Sequence, residues 1–342
     1  LIDTVEAPAP TSPPASALPP PSEGLPMNAP SATPADAQGV LTGYYRDLSA
    51  RVQQAPAGRP FIRFAPFEAP LAGFTWLPTF LGRPLAPAHQ AQVDAAHARM
   101  RGVLFDGIDT TQVRRVLDIG CGYSTDLIEF AQAHGHWVLD GCNISAEQVD
   151  FGRRAIARAG LEGRITLHHR DSARDEFPGL YDLAVSHQVI HHIRDKDAVL
   201  RNVAEHLRRG GVLVAAEIVS LLDERIDHEP SSAHFETRQA WARLLADHRL
   251  RLARCVDASA EIANYLHDDD FERSLRALNL AADPSTVAHL GGPHALGMLL
   301  RRGLAGYLLL RVQRDPLATP ESLAEENLAR LMQPTQIGRA HV

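Results

Sequence analysis

Two stretches of this sequence carry residue types that can do chemistry. In "RRVLDIGCGYSTDLIEFA", residues 114–131, an apolar run ends in Asp118-Ile119-Gly120-Cys121-Gly122 and passes into a helical pattern. Glycines at 120 and 122 permit a tight turn and close approach of a ligand to the backbone, and Asp118 sets a carboxylate two residues before the bend. Nucleotide-type cofactors are the candidates for such a loop. The second stretch is "YDLAVSHQVIHHIRDKDAVL", residues 181–200, where His187, His191 and His192 crowd the end of another apolar run. With His168 and His169 they form a dense group among 17 histidines, which raises the question of a metal.

The elements that must position these residues alternate. Strands are expected at 115–119, 137–143, 164–169, 181–187, 211–218, 252–258 and 306–313, with helices between them. Val199, Val203 and Leu207 share one helical face that Gly210 should end, and Ser145 and Gln148 have capping-box spacing in a helix ended by Gly160. Alternating β and α units imply a doubly wound α/β sheet with its ligand above the carboxyl ends of the strands. Residues 113–315 are assigned to this core, with a helical insertion at about 259–303 between the last two strands. Residues 39–112 read as a helical and aromatic lid. Residues 1–38 hold ten of the 24 prolines and read as a Pro/Ala-rich interdomain linker, and 316–342 as a C-terminal tail. The chain starts "LIDTVEAPAP" without an initiator Met, so a piece of something longer is expected.

Composition removes several function classes. A net charge of −7 and an isoelectric point near 6.2 argue against nucleic-acid binding. No apolar run approaches the roughly 18 residues of a membrane span. Cys121, Cys142 and Cys255 are odd in number and far apart, with no Cys-x-x-Cys. They read as small buried fillers in a protein of the reducing cytoplasm rather than as nucleophiles, disulfides or zinc ligands.

Details of the loop separate the cofactors. A dinucleotide fingerprint wants a third glycine at position 125, where Thr stands, and no Gly-Lys-Ser/Thr follows for a P-loop. What remains resembles the cofactor loop of class I S-adenosylmethionine-dependent methyltransferases, and the likeness runs in order over about 113–220. It implies the seven-stranded Rossmann-like sheet of that family and S-adenosylmethionine as cofactor. The matching positions for binding it are Asp118, Gly120, Cys121 and Gly122 in the loop and Asn143, Ile144 and Gln148 in "GCNISAEQ". Asp171, Ser172 and His187 complete the set. The family usually has an acid where this chain has Asn143, and Asp140 is the fallback carboxylate. Methyltransferases of small natural products often pair a His after strand 4 with an acid at the end of strand 5. That resemblance makes His191 the general base and Glu217 its orienting acid, and leaves His192 a structural place in the helix. Metal-dependent methyltransferases of the catechol type place carboxylates and an amide at their metal, and no such set stands at matching strand ends, so no metal is expected.

The flanks resemble those of O-methyltransferase domains embedded in modular type I polyketide synthases. The implied reaction is methyl transfer to the β-hydroxyl of an intermediate on an acyl carrier protein, among neighbouring synthase domains. Tyr44, Tyr45, Phe74, Trp76, Asn264 and Tyr265 are expected to enclose the acyl chain. A C-methylating domain acting on the α-carbon of a β-ketoacyl chain, a free-standing natural-product O-methyltransferase and a catalytically silent organising module remain the alternatives.

Overall fold

The structure is a computed structural model that describes residues 43, 46, 63–281 and 284–337. The expected linker at 1–38, and Tyr44 and Tyr45, lie outside the described residues. Helices α1 (Leu77–Phe80) and α2 (Pro87–Phe105) lead into β1 (Arg115–Ile119), α3 (Thr125–Ala133), β2 (Val138–Asn143), α4 (Ala146–Arg158), β3 (Ile165–His169) and β4 (Tyr181–His187). A 3₁₀ turn, Ile190–His192, precedes α5 (Lys196–His206), β5 (Leu207–Ser220), β6 (Ile226–His228) and β7 (Ala233–Phe235). The chain continues through α6 (Arg238–Asp247), β8 (Leu250–Asp257), α7 (Ser259–Tyr265), α8 (Phe271–Ala277), α9 (Pro284–Arg301), β9 (Ala305–Arg314), α10 (Pro320–Met332) and β10 (Thr335–Gln336).

The main sheet runs β10-β8-β9-β5-β4-β1-β2-β3. Its β5-β4-β1-β2-β3 half is parallel, while β9 lies antiparallel to both β5 and β8. Strand order reverses between β1 and β4, which opens a crevice above their carboxyl ends. Both faces of the sheet are covered, so its strands are apolar on both sides. Val116, Leu139, Val185, Val214 and Ile218 pack with α2, α3, α4 and the insertion helices. Leu117, Ile119, Ala184, Leu213 and Ala215 pack on the other face with α5, α6 and α10.

Four expectations need correction. The main sheet has eight strands rather than seven, because Thr335–Gln336 adds alongside β8. A two-stranded ribbon, β6–β7, occupies 226–235, where only helix was expected. Helix α5 stops at His206, not Gly210: Leu207 is buried and extended, starts β5 and pairs with Tyr181, while Gly210 takes its positive φ of 76° inside that strand. The tail expected after 315 is part of the domain, since α10 sinks Leu323 and Leu331 against the body.

Asn327 of α10 makes that docking specific. It is fully buried, donates to the carbonyls of Leu250 (3.0 Å) and Ala242 (3.4 Å), and accepts from the N–H of Leu252 (2.7 Å). Asn327→Leu leaves these backbone groups unpaired in the interior, at about 1–3 kcal/mol each. Urea unfolding of the variant is therefore expected to show a loss of at least about 2 kcal/mol.

Candidate active site

The turn after β1 is built by backbone bonds across the sheet. The N–H groups of Gly120 and Cys121 both donate to the carbonyl of Cys142 at the end of β2 (2.8 and 3.0 Å). Gly120 has φ +70°, and a Cβ there would sit 2.5 Å from both methyls of Val189. Gly122 has φ +50°, and no atom lies within 4 Å of where its Cβ would be. One glycine is thus needed for packing. The other is a bare stretch of backbone facing a cavity of about 610 Å³.

The sequence-predicted cofactor positions converge on this cavity. Asp118, Gly120, Cys121 and Gly122 line it from the β1 end. Asn143, Ile144 and Gln148 line it from β2 and the start of α4, Asp171 and Ser172 from beyond β3, and His187 from β4. Asn143 does not present a free amide. Its Nδ2 donates to the Gly122 carbonyl (3.2 Å) and Gln148 Oε1 (2.8 Å), and its Oδ1 accepts from Ser145 N–H (3.0 Å). It ties the glycine loop to α4, and Gln148 is drawn into that tie instead of closing the capping box. Gln148 Nε2 is left buried without a partner. An orphan donor beside a bare glycine fits a hydroxyl-rich ligand lying over the loop. Asp140 cannot stand in for the missing acid, because Arg115, Tyr181 and His168 bind its carboxylate and it does not line the cavity.

His191 and Glu217 meet. Glu217, fully buried at the end of β5, lies behind the cavity wall. Its Oε2 accepts from His191 Nδ1 (2.9 Å) and the His191 N–H (3.1 Å). Its Oε1 accepts from the N–H of Ile190 (2.9 Å), with Val189 N–H and Ser186 Oγ each at 3.3 Å. An imidazole nitrogen this close to a carboxylate oxygen carries the proton, so Nε2 of a neutral His191 is the basic nitrogen. His192 has structural contacts. Its Nδ1 sits 3.0 and 3.1 Å from the carbonyls of Ser231 and Ser232, binding the 3₁₀ turn to the β6–β7 connection.

The expected lid residues that the structure describes, Phe74, Trp76, Asn264 and Tyr265, do not line this cavity. Trp76 is fully buried and stacks on Phe271, and Phe67, Phe74 and Tyr265 pack on one another. Tyr265 OH meets Thr79 Oγ1 at 2.6 Å, and Asn264 Nδ2 donates to the carbonyls of Phe67 and Glu68. They hold the N-terminal region onto α7. The wall facing His191 comes instead from Ser231, Ala233 and Phe235 beside the ribbon and from Gly292, Pro293 and Leu296 of α9. Gly291-Gly292-Pro293 inside a helix was the available sequence signal for that wall. Arg63 and Asp126 also line the cavity. Arg63, alone among the apolar residues of "FIRFAPF", was the corresponding clue on the N-terminal side.

Electrostatics separate the roles. Burial, reinforced by Asp126, raises the Asp118 carboxyl well above the usual range. Burial pushes up all three thiols, those of Cys142 and Cys255 to about 12, so the cysteines are inert fillers. Among the described residues no group of three His, Cys, Asp or Glu could hold a metal, and no helix is long and apolar enough to cross a membrane.

Comparison with known proteins points to one family. A family profile described as "Methyltransferase domain" matches residues 117–213. Polyketide synthase ThaQ of Burkholderia thailandensis is 35% identical over 254 residues, which are 74% of this chain but only 12% of ThaQ. The O-methyltransferase of a trans-AT polyketide synthase multienzyme from Brevibacillus brevis, solved with S-adenosyl-L-homocysteine, superposes with a TM-score of 0.77 at 29% identity. That match covers 82% of this chain and 93% of the other. A StiE O-MT structure gives 0.72 at 31% identity, covering 84% of this chain and 98% of its own.

The two glycines should respond differently to substitution. Gly120→Ala meets Val189, whereas Gly122→Ala carries only the strain of a positive φ. Thermal or urea unfolding is expected to show Gly120→Ala costing about 1–3 kcal/mol more than Gly122→Ala.

Proposed function

Because the chain belongs to the S-adenosylmethionine-dependent O-methyltransferase domains of polyketide synthases, we propose that it methylates the β-hydroxyl of an acyl chain held as a thioester on an acyl carrier protein. One observation carries this reading: His191, backed by the buried Glu217, stands in the wall of the same cavity that the glycine loop floors. The loop, the Gln148 amide and the Asp171–Ser172 segment would hold the adenosine part of the cofactor. When bound, S-adenosylmethionine supplies an electrophilic methyl group on a sulfonium sulfur.

The rest of the chemistry belongs to the chain's own residues. An aliphatic hydroxyl is too weak an acid to ionise at neutral pH, so its proton must leave as the new C–O bond forms. His191 Nε2 accepts that proton. Glu217 keeps the other ring nitrogen protonated and stabilises the imidazolium that results. The apolar wall of Phe235, Pro293 and Leu296 keeps water from competing for the methyl group. The acyl carrier protein and neighbouring synthase domains are the partners, and buried unpaired thiols suit the cytosol.

His191→Ala is expected to lower kcat by about 10²–10⁴ while leaving affinity for S-adenosylhomocysteine unchanged by calorimetry. Glu217→Gln sets an amide NH₂ against the two donors of His191 or against the three at Oε1, and is expected to lose at least about tenfold in kcat. Loss of cofactor affinity in the His191 variant would show the dyad to be part of the cofactor site instead.

Regiochemistry is tested with matched β-hydroxyacyl and β-ketoacyl carrier proteins and an isotope-labelled methyl donor, the label being located by fragmentation. The expected outcome is label on the β-oxygen and little turnover of the ketone. Label on the α-carbon would make this a C-methylating domain.

A further inference from the structure

One polar side chain beside the His191 turn has no part in the chemistry described so far. Gln188 lines the cavity between the end of β4 and the 3₁₀ turn. Its φ is +60°, a conformation disfavoured for any residue with a Cβ. The chain there leaves β4 for the dyad turn, while the Gln188 N–H stays bonded to the Ala216 carbonyl of β5 (2.9 Å), one residue before Glu217. The carboxamide is fixed too. Oε1 accepts from the Phe64 N–H (3.3 Å), and because that backbone group can only donate, Nε2 is the end left for another partner. Nε2 is buried and has no hydrogen-bond partner among the described residues. A disfavoured backbone and an orphaned buried donor at one cavity position mark a ligand contact.

We propose that Gln188 Nε2 donates to the thioester carbonyl of the acyl chain and so sets the β-hydroxyl within reach of His191. The inference rests on the reaction given under the proposed function. Location favours the acyl chain over the cofactor. Phe64, which anchors the amide, packs its ring on Tyr265 and Tyr307, with centroids 6.1 and 6.3 Å away, and Tyr307 pairs with Ile218 of β5. The amide thus stands on the β5–β9 side of the crevice, where His191, Ile218 and Phe235 also line the cavity. Gln148 and the Asp171–Ser172 segment lie beyond β1, at β2 and β3.

Chemistry selects the atom. A β-hydroxyacyl thioester brings two polar groups, its hydroxyl and its carbonyl. The hydroxyl gives its proton to His191 Nε2 and needs a lone pair for the incoming methyl. The carbonyl oxygen only accepts, which matches an amide nitrogen that only donates. Against Phe64, Ile218 and Phe235, a carbonyl without a donor would be desolvated and unpaired. Held at Gln188 and at His191, three residues apart in one turn, the chain has both its position and its direction defined.

The test measures methyl transfer to two carrier-bound probes: the β-hydroxyacyl thioester and the thioether analogue with CH₂ in place of the carbonyl. The wild-type chain should prefer the thioester by about 10–100-fold in kcat/KM. Gln188→Glu keeps an acceptor for the Phe64 N–H but loses the donor, and Gln188→Met loses both. Each should lower kcat/KM for the thioester by about 10–100-fold and leave the thioether nearly unchanged, so that the preference disappears. Affinity for S-adenosylhomocysteine by calorimetry should stay at the wild-type level in both, which also certifies that they fold. If one variant does not fold, the other and the wild-type comparison still decide. Equal turnover of the two probes by the wild type would overturn the contact and leave the β-O-methylation reading intact. A variant folded by circular dichroism that loses S-adenosylhomocysteine affinity yet keeps the thioester preference would place Gln188 with the cofactor, and would overturn the contact as well. Turnover of neither probe by the wild type would overturn the β-hydroxyl reading itself, and this contact with it.

Discussion

A single buried carboxylate organises the catalytic end of this protein. Desolvating Glu217 costs several kcal/mol, and that cost is offset only because five donors converge on its two oxygens. Three of them are backbone N–H groups at the start of the 3₁₀ turn, the groups that a helical turn leaves without internal partners. The group that orients the His191 ring is thus also the group that shapes the turn carrying it. Strand β9 holds this carboxylate in place, since Leu308 pairs with Glu217 in the antiparallel register.

The glycine loop is coupled to the same turn. Gly120 packs against Val189, and the Val189 N–H is one of the Glu217 donors. The floor of the cofactor site and the platform of the base therefore share one residue. On the far side of the loop, Asn143 spends both of its amide hydrogens on holding the loop to α4. A carboxylate at that position could not donate those bonds. The departure from the usual acid is thus part of a local rewiring in which Gln148, rather than residue 143, offers its donor to the cavity.

The acceptor side is assembled from parts with weak local signals. The β6–β7 ribbon has strands of three residues, and it is fixed over the dyad through His192 and the Arg194–Glu229 ion pair. Helix α9 brings Pro293, which removes one backbone donor in mid-helix, to the same wall. Phe67, Phe74 and Trp76 are consumed in attaching the N-terminal region to α7 and α8, and only Arg63, Phe64 and Phe80 among that region's described residues reach the cavity.

The sequence alone determined the parts governed by local rules. Buried parallel strands are short apolar runs, a glycine turn must follow β1, and the residues ending successive parallel strands must gather at one edge. The positions of Asp118, Asn143, Asp171, His187 and His191 around a single cavity follow from that regularity. Only the tertiary structure decided what depends on long-range pairing. Residues 315–337 look like a polar tail until Asn327 is seen to complete the backbone bonds of Leu250 and Leu252. A phenylalanine or tryptophan in an irregular segment has equal reason to line a pocket or fill a core, and Phe74 and Trp76 fill the core because partners from 265–271 arrive there. Arg63 and Asp126 are 63 residues apart, and Asp126 and His187 are 61 apart. No periodicity links such positions, and only the folded sheet brings their charges together.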